Sequence, residues 1–123
     1  MNPSNLLKNH LRIKDDILGR DYELSLVLVD EAKSKELNKK YRHKDKPANV
    51  LAFALEKNEG EIFLTPSIIK KDELIFMFIH GLLHLKGLKH GIIMEKEEKK
   101  FLAKWQEISS PESTLERRPS GSS

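Results

Sequence analysis

Phe78-Ile79-His80-Gly81-Leu82-Leu83-His84-Leu85-Lys86-Gly87-Leu88-Lys89-His90 gathers three of the chain's five histidines into eleven positions. The first two stand four apart in a segment that reads as helix, and residues at i and i+4 share one helical face. His80 and His84 are therefore expected to aim their rings at a common point. Gly87 supplies the left-handed position that ends a helix, so the chain can turn and bring His90 back toward that point. Neutral imidazole is a standard zinc ligand, and catalytic zinc sites use three protein ligands and leave a fourth position open. The spacing thus points to a metal centre of His80, His84 and His90, with zinc as the cofactor and nickel able to accept the same nitrogens. The competing reading is two satisfied core histidines and a surface His90. Leu74, Ile75, Phe76, Met77, Phe78, Ile79, Leu82, Leu83 and Leu85 make the helix apolar nearly all round, hence buried. Imidazoles without partners are costly there. Gly81 stands where H-E-x-x-H peptidases carry their general base, which argues against that chemistry.

Working outward, Asp72 with Glu73 is the expected start of the apolar helix, and Pro66-Ser67 links it to a strand over 60–65. The polar turn 56–59 joins that strand to another over 49–55, and 22–29 forms a further strand by alternation followed by an apolar run. Asp30 to Arg42 sets Ala32, Leu37 and Tyr41 among charges. It reads as an exposed amphipathic helix capped by Asp30 or Ser34 and broken at Lys46-Pro47-Ala48. A first helix is expected from Asn2 or Ser4 to Gly19, with Leu6, Leu7, Leu11 and Ile17 as its stripe and His10 at the surface. The last helix, 92–108, carries Met94, Phe101, Leu102, Trp105 and Ile108 at helical spacing, with Trp105 in the core rather than free to stack on bases. The class is α+β (mixed α/β): a small mixed sheet covered by helices, one of them the buried metal-binding helix.

At 123 residues the chain is one domain, expected over 1–110. Residues 111–123 are polar and rich in Ser, Arg, Pro and Gly, the composition of a disordered or appended tail. Without cysteine there are neither disulfides nor thiolate ligands, so a metal must rely on His, Asp or Glu. No signal-peptide succession opens the chain, and its longest apolar run, 74–79, is too short to span a bilayer. A cytoplasmic protein with no membrane partner is expected. The net charge of +3 says little, but seven Lys or Arg between Lys33 and Lys46 face two acids. Such a stretch attracts polyanions, although on charge alone a solvated helix face explains it equally well.

His80-Gly81-Leu82-Leu83-His84-Leu85-Lys86-Gly87-Leu88-Lys89-His90 resembles the H-G-x-L-H-L-x-G-x-x-H signature of the YbeY family of bacterial metal-dependent endoribonucleases. Leu37 to Phe53 (Leu-Asn-Lys-Lys-Tyr-Arg-His-Lys-Asp-Lys-Pro-Ala-Asn-Val-Leu-Ala-Phe) is similar to its second signature, L-N-x-x-Y-R-x-K-D-x-P-T-N/D-V-L-S-F, and Gly60-Glu61-Ile62 to its G-D-I/L. The likeness runs from about Leu24 to Ile108. It implies a mixed sheet with the metal helix packed behind it, and cleavage of single-stranded RNA in ribosomal RNA maturation (16S rRNA 3′-end processing) and ribosome quality control. RNA, the ribosome and ribosomal proteins are the implied partners. The chain departs from the pattern at Lys89, where an aspartate is common, and at Glu61. An opening strand and a helical stretch before the metal helix look missing or shortened.

Zinc lowers the pKa of bound water to about 7 and polarises a phosphoryl oxygen. The expected mechanism therefore has His80, His84 and His90 holding the ion, with its water as nucleophile. Arg42 steadies the phosphate, because guanidinium matches phosphate oxygens bidentately and stays charged. The family signature implies activity for this arginine. Catalytic residues are thus Arg42 and His80. Lys39, Lys40, Lys44 and Lys46 guide the RNA backbone with Arg42, and Asn49 orients Arg42 or substrate, or caps a turn. The alternative is a non-catalytic, metal-stabilised RNA- or ribosome-binding module, whose structural zinc takes a fourth side chain such as Glu95 or Asp72.

Overall fold

The computed structural model describes residues 3–108, with side chains described over 6–105 except Lys71. The cap expected at Asn2, the domain limit at 110 and the tail 111–123 lie outside the described residues, as do the side chains of Ser4 and Ile108. Four helices, α1 (Pro3–Leu18), α2 (Glu31–Arg42), α3 (Leu74–Lys86) and α4 (Ile92–Ile108), accompany three strands, β1 (Glu23–Leu28), β2 (Val50–Glu56) and β3 (Glu59–Leu64). The strand order is β1-β3-β2, with β3 parallel to β1 and antiparallel to β2. The tight turn after Glu56 makes the antiparallel pair, whereas α2 and β2 intervene between β1 and β3. The sheet is mixed and three-stranded.

α3, carrying two of the three clustered histidines, is the central element. It packs against α1, α4, β2 and β3 at once. Its Phe78, Ile79, Leu82 and Leu83 are fully buried, as are Leu6 and Ile13 of α1 and Ile62 and Leu64 of β3. Each such side chain contributes about 1.5–3 kcal/mol by leaving water. Gly81 sits at a close approach of helix and sheet. A Cβ there would lie 3.1 Å from Ile62 Cδ1 and 3.2 Å from Val50 Cγ2, so a bare backbone lets α3 come this near.

Several local expectations are corrected. Asp72 does not cap α3, because Lys71–Glu73 forms a 3-10 turn and Glu73 occupies the cap position without a side-chain bond. A tighter turn thus enters the helix directly. On α1, Leu7 and Leu11 are exposed at 47% and 55%, and Ile13 is buried instead. The docked face of α1 carries Leu6, Ile13 and Ile17. His10 is half-buried, its ring edge-on to Phe78 with centroids 6.3 Å apart. Asp30 does cap α2, accepting from the Lys33 amide at 2.8 Å, and Ser34 is released for another purpose.

Candidate metal centre

The C-terminal half of α3 and the bend after it build the site. Gly87, at φ 105°, closes the helix by donating its amide to the His84 carbonyl at 3.0 Å, as the position demands of a residue without Cβ. The turn brings His90 back over α3. Ring centroids of the three histidines lie 4.6, 5.2 and 5.0 Å apart pairwise, and one ring nitrogen from each falls within 4.8 Å of the others. Among the described residues, this is the one group of three or more His, Cys, Asp or Glu that could hold a metal ion. Neither Glu95 nor Asp72 belongs to it, so the fourth side chain of a structural site is not supplied by those residues.

Three features of the cluster fit a cation. His80 Nε2 and His84 Nε2 are 3.1 Å apart. Two nitrogens each about 2.0–2.1 Å from a tetrahedral ion lie roughly 3.3 Å from one another. The other nitrogen of His80, Nδ1, meets the carboxylate of Glu98 on α4 in a short contact. An ionised carboxylate only accepts, so Nδ1 carries the ring proton and Nε2 presents a lone pair into the cluster. Finally, burial, then the neighbouring His80 and His90, push the His84 pKa below its usual 6.5, against the weaker opposing pulls of Glu98 and a hydrogen bond with the Leu88 backbone. The neutral, ligating ring is thereby favoured. Three imidazoles, two of them half-buried and His90 exposed, suit zinc or nickel.

Two clefts meet at the histidines. One, of about 600 Å³, is lined by His80, His84 and His90 together with Arg42, Lys44 and Lys46. The other, of about 390 Å³, is lined by His80 and His90 with Asn49, Phe76, Met77 and Glu98 among others. Arg42, Lys44 and Lys46 thus share a cleft with all three histidines, and Asn49 lines the second cleft. Lys39, Lys40 and His43 are exposed on or just beyond α2 and line neither cleft. Lys40 instead lies over the Tyr41 ring at 5.2 Å. Lys89 is exposed and also lines neither cleft. Arg42 Nη2 donates to the Ala52 carbonyl at 2.8 Å.

The basic rim is held by His43, Asn38 and Ser34, the last of these expected instead as a helix cap. His43, in the left-handed conformation at φ 60°, caps α2 and turns the chain back. Buried Asn38 donates Nδ2 to the Lys46 carbonyl at 2.8 Å. Buried Ser34 accepts from the Ala48 amide at 2.9 Å and donates to its carbonyl at 3.0 Å, which Thr65 Oγ1 also reaches at 2.8 Å. The signal available was the i, i+4 placement of Ser34 and Asn38 on the face of α2 turned inward. Glu98 was missed too, although it shares a stripe with Met94, Phe101 and Trp105.

The family model for endoribonuclease YbeY matches residues 3–111. The chain belongs to the YbeY family. It is 32% identical to endoribonuclease YbeY of Thermotoga maritima, covering 87% of this chain and 86% of the relative. With endoribonuclease YbeY of Syntrophotalea carbinolica it shares 30% identity over 79% of this chain and 77% of the relative. A solution structure of a Thermotoga maritima protein superposes with a TM-score of 0.63 at 32% identity, over 90% of this chain and 86% of that one. The α+β architecture is therefore that of the YbeY fold. YbeY proteins are endoribonucleases, which makes the chain's class that of a nuclease, a hydrolase acting on RNA.

Proposed function

We propose that this YbeY-family chain is a zinc-dependent endoribonuclease that cleaves single-stranded ribosomal RNA, in 16S rRNA 3′-end maturation and ribosome quality control. Ribosomes and ribosomal proteins are its partners, the cytoplasm its location and a single domain ending near residue 110 its functional unit. One observation carries the reading: His80, His84 and His90 share a cleft with Arg42, Lys44 and Lys46. A cluster built for a cation and a wall of cations face the same space, as a polyanion crossing a metal centre requires.

His80, His84 and His90 would hold zinc, or nickel, through one nitrogen each. The ion, when bound, supplies activated water at neutral pH and a Lewis acid for a phosphoryl oxygen. Arg42 does the remaining electrostatic work. Fixed by the Ala52 carbonyl and lying over the Phe53 ring at 5.0 Å, its guanidinium keeps further N–H groups for phosphate oxygens. Lys44 and Lys46 draw the RNA backbone along the cleft. Lys39 and Lys40 extend the field outward as long-range steering, and Asn49 meets substrate across the centre. No helix among the described residues is long and apolar enough to cross a membrane. The non-catalytic module is disfavoured because three donors converge where a structural zinc takes four.

The test couples metal analysis to cleavage of single-stranded ribosomal RNA fragments. Wild type should bind one zinc per chain and cut. His84→Ala should lose both properties, and Arg42→Ala only cleavage. Stoichiometric zinc without cleavage in the wild type would favour the binding module.

A further inference from the structure

We infer that Glu98 is the positioning residue of the metal centre: from α4, it fixes the proton on His80 Nδ1 and so turns Nε2 toward the ion. This rests on the metal reading above and deepens it. A carboxylate beside a metal-binding imidazole commonly sets the ring's tautomer and orientation and raises its basicity. Lys89, next to His90, is a cation and cannot serve in that way. Glu98, eighteen positions beyond His80, takes that role from another helix.

The surroundings argue against Glu98 as a bystander. It is 8% exposed and stands on the buried stripe of α4 between Met94 and Phe101. An apolar side chain would pack there without the desolvation that an ionised carboxylate suffers unless it is paired. Its Oε2 is spent on His80 Nδ1, the nitrogen facing away from His84. Glu98 also lies outside the convergent donor set of His80, His84 and His90. It therefore acts on the ion through His80 and not as a ligand. Because α4 carries it, docking of α4 on α3 and the alignment of His80 become one structural event.

Zinc affinity of wild type, Glu98→Gln and Glu98→Asp should be measured by competition with a chelator. Ring-nitrogen NMR of His80 in the zinc-loaded proteins and thermal unfolding of the metal-free proteins complete the test. Glutamine keeps the size and an acceptor oxygen but loses the charge. The expected result is zinc affinity lowered by about 10–100-fold, with metal-free unfolding within a few degrees of wild type. The wild-type spectrum should show Nδ1 protonated and Nε2 bound. Glu98→Asp, which keeps the charge on a shorter arm, should fall between the two and decides the matter if Glu98→Gln does not fold. Unchanged affinity in the variants would overturn the assignment and leave the metal site standing. Affinity and metal-free stability falling in proportion would make Glu98 a packing strut, which also overturns it. A wild type that binds no zinc removes the metal reading itself.

Discussion

Arg42 is fastened to the backbone of Ala52: its Nη2 donates to that carbonyl at 2.8 Å, while the guanidinium carbon lies over the neighbouring Phe53 ring at 5.0 Å. β2 is an edge strand, so the arginine occupies a carbonyl that would otherwise face water. A flexible side chain at the end of α2 is thereby held at the rim of the cleft that contains the three histidines.

Replacing Arg42 by alanine should lower RNA cleavage by about 10²–10³-fold, the range seen when one transition-state donor is removed. Zinc content should stay at wild-type level. Arg42→Lys should recover only part of the activity, since an ammonium lacks the planar fork that can bond carbonyl and phosphate together. Single-turnover cleavage with metal analysis checks both, and an active Arg42→Ala would remove this residue from the reaction.

His84→Ala deletes the central donor and one side of the 3.1 Å nitrogen pair. Zinc should no longer bind stoichiometrically in equilibrium dialysis, while metal-free protein remains folded by circular dichroism. Retained zinc at one per chain would refute the three-histidine assignment.

Asn38→Ala should loosen the basic rim. The Lys46 carbonyl loses its partner inside a part-buried setting, at a cost of about 1–3 kcal/mol. RNA binding should weaken and its salt dependence flatten if Lys44 and Lys46 become mobile, with zinc affinity unaltered. Filter binding across a salt series measures this.

Gly81→Val should destabilise by about 1–3 kcal/mol through overpacking, because even a Cβ would stand 3.1 Å from Ile62 and 3.2 Å from Val50. Denaturant unfolding gives the number. Stability equal to wild type would mean that the sheet yields more readily than its packing implies.

Acid should unfold the protein partly through Asp16. Burial raises its pKa, but hydrogen bonds from Lys104 and Trp105 and the charges of Lys104 and Lys100 outweigh this and hold it below the usual 3.8. A folded value below the unfolded one means that the unfolded chain binds more protons in between. Stability from Asp16 is therefore complete above about pH 5 and is lost as pH falls through 3.8 toward the lowered value. Asp16→Ala should remove this component and about 1 kcal/mol at neutral pH, visible in melts as a difference from wild type at pH 7 that narrows as pH falls below 3.8.

The histidine triad was legible because its geometry is local. Four residues of helix place His80 beside His84, and a glycine-permitted turn returns His90 within a few positions. Arg42, Lys44 and Lys46 were legible as charge and as signature, and the helices and strands as hydrophobic period. Even so, the docked face of α1 was only half legible: Leu6 and Ile17 of the expected stripe are buried, but Ile13 takes the place of Leu7 and Leu11 where α1 packs on α3.

What the sequence by itself determined was the set of donors and cations and the elements that carry them. Tertiary structure alone decided that Glu98 meets His80 from α4, that Ala52 receives Arg42 and that Ser34 and Asn38 anchor the loop of Lys46. It also decided that β3 lies between β1 and β2. The physical reason is the range of the forces involved. Helical spacing and turn conformation are fixed by the few residues that make them, whereas the partner of a buried polar group is set by whichever distant element the burial of apolar surface brings against it.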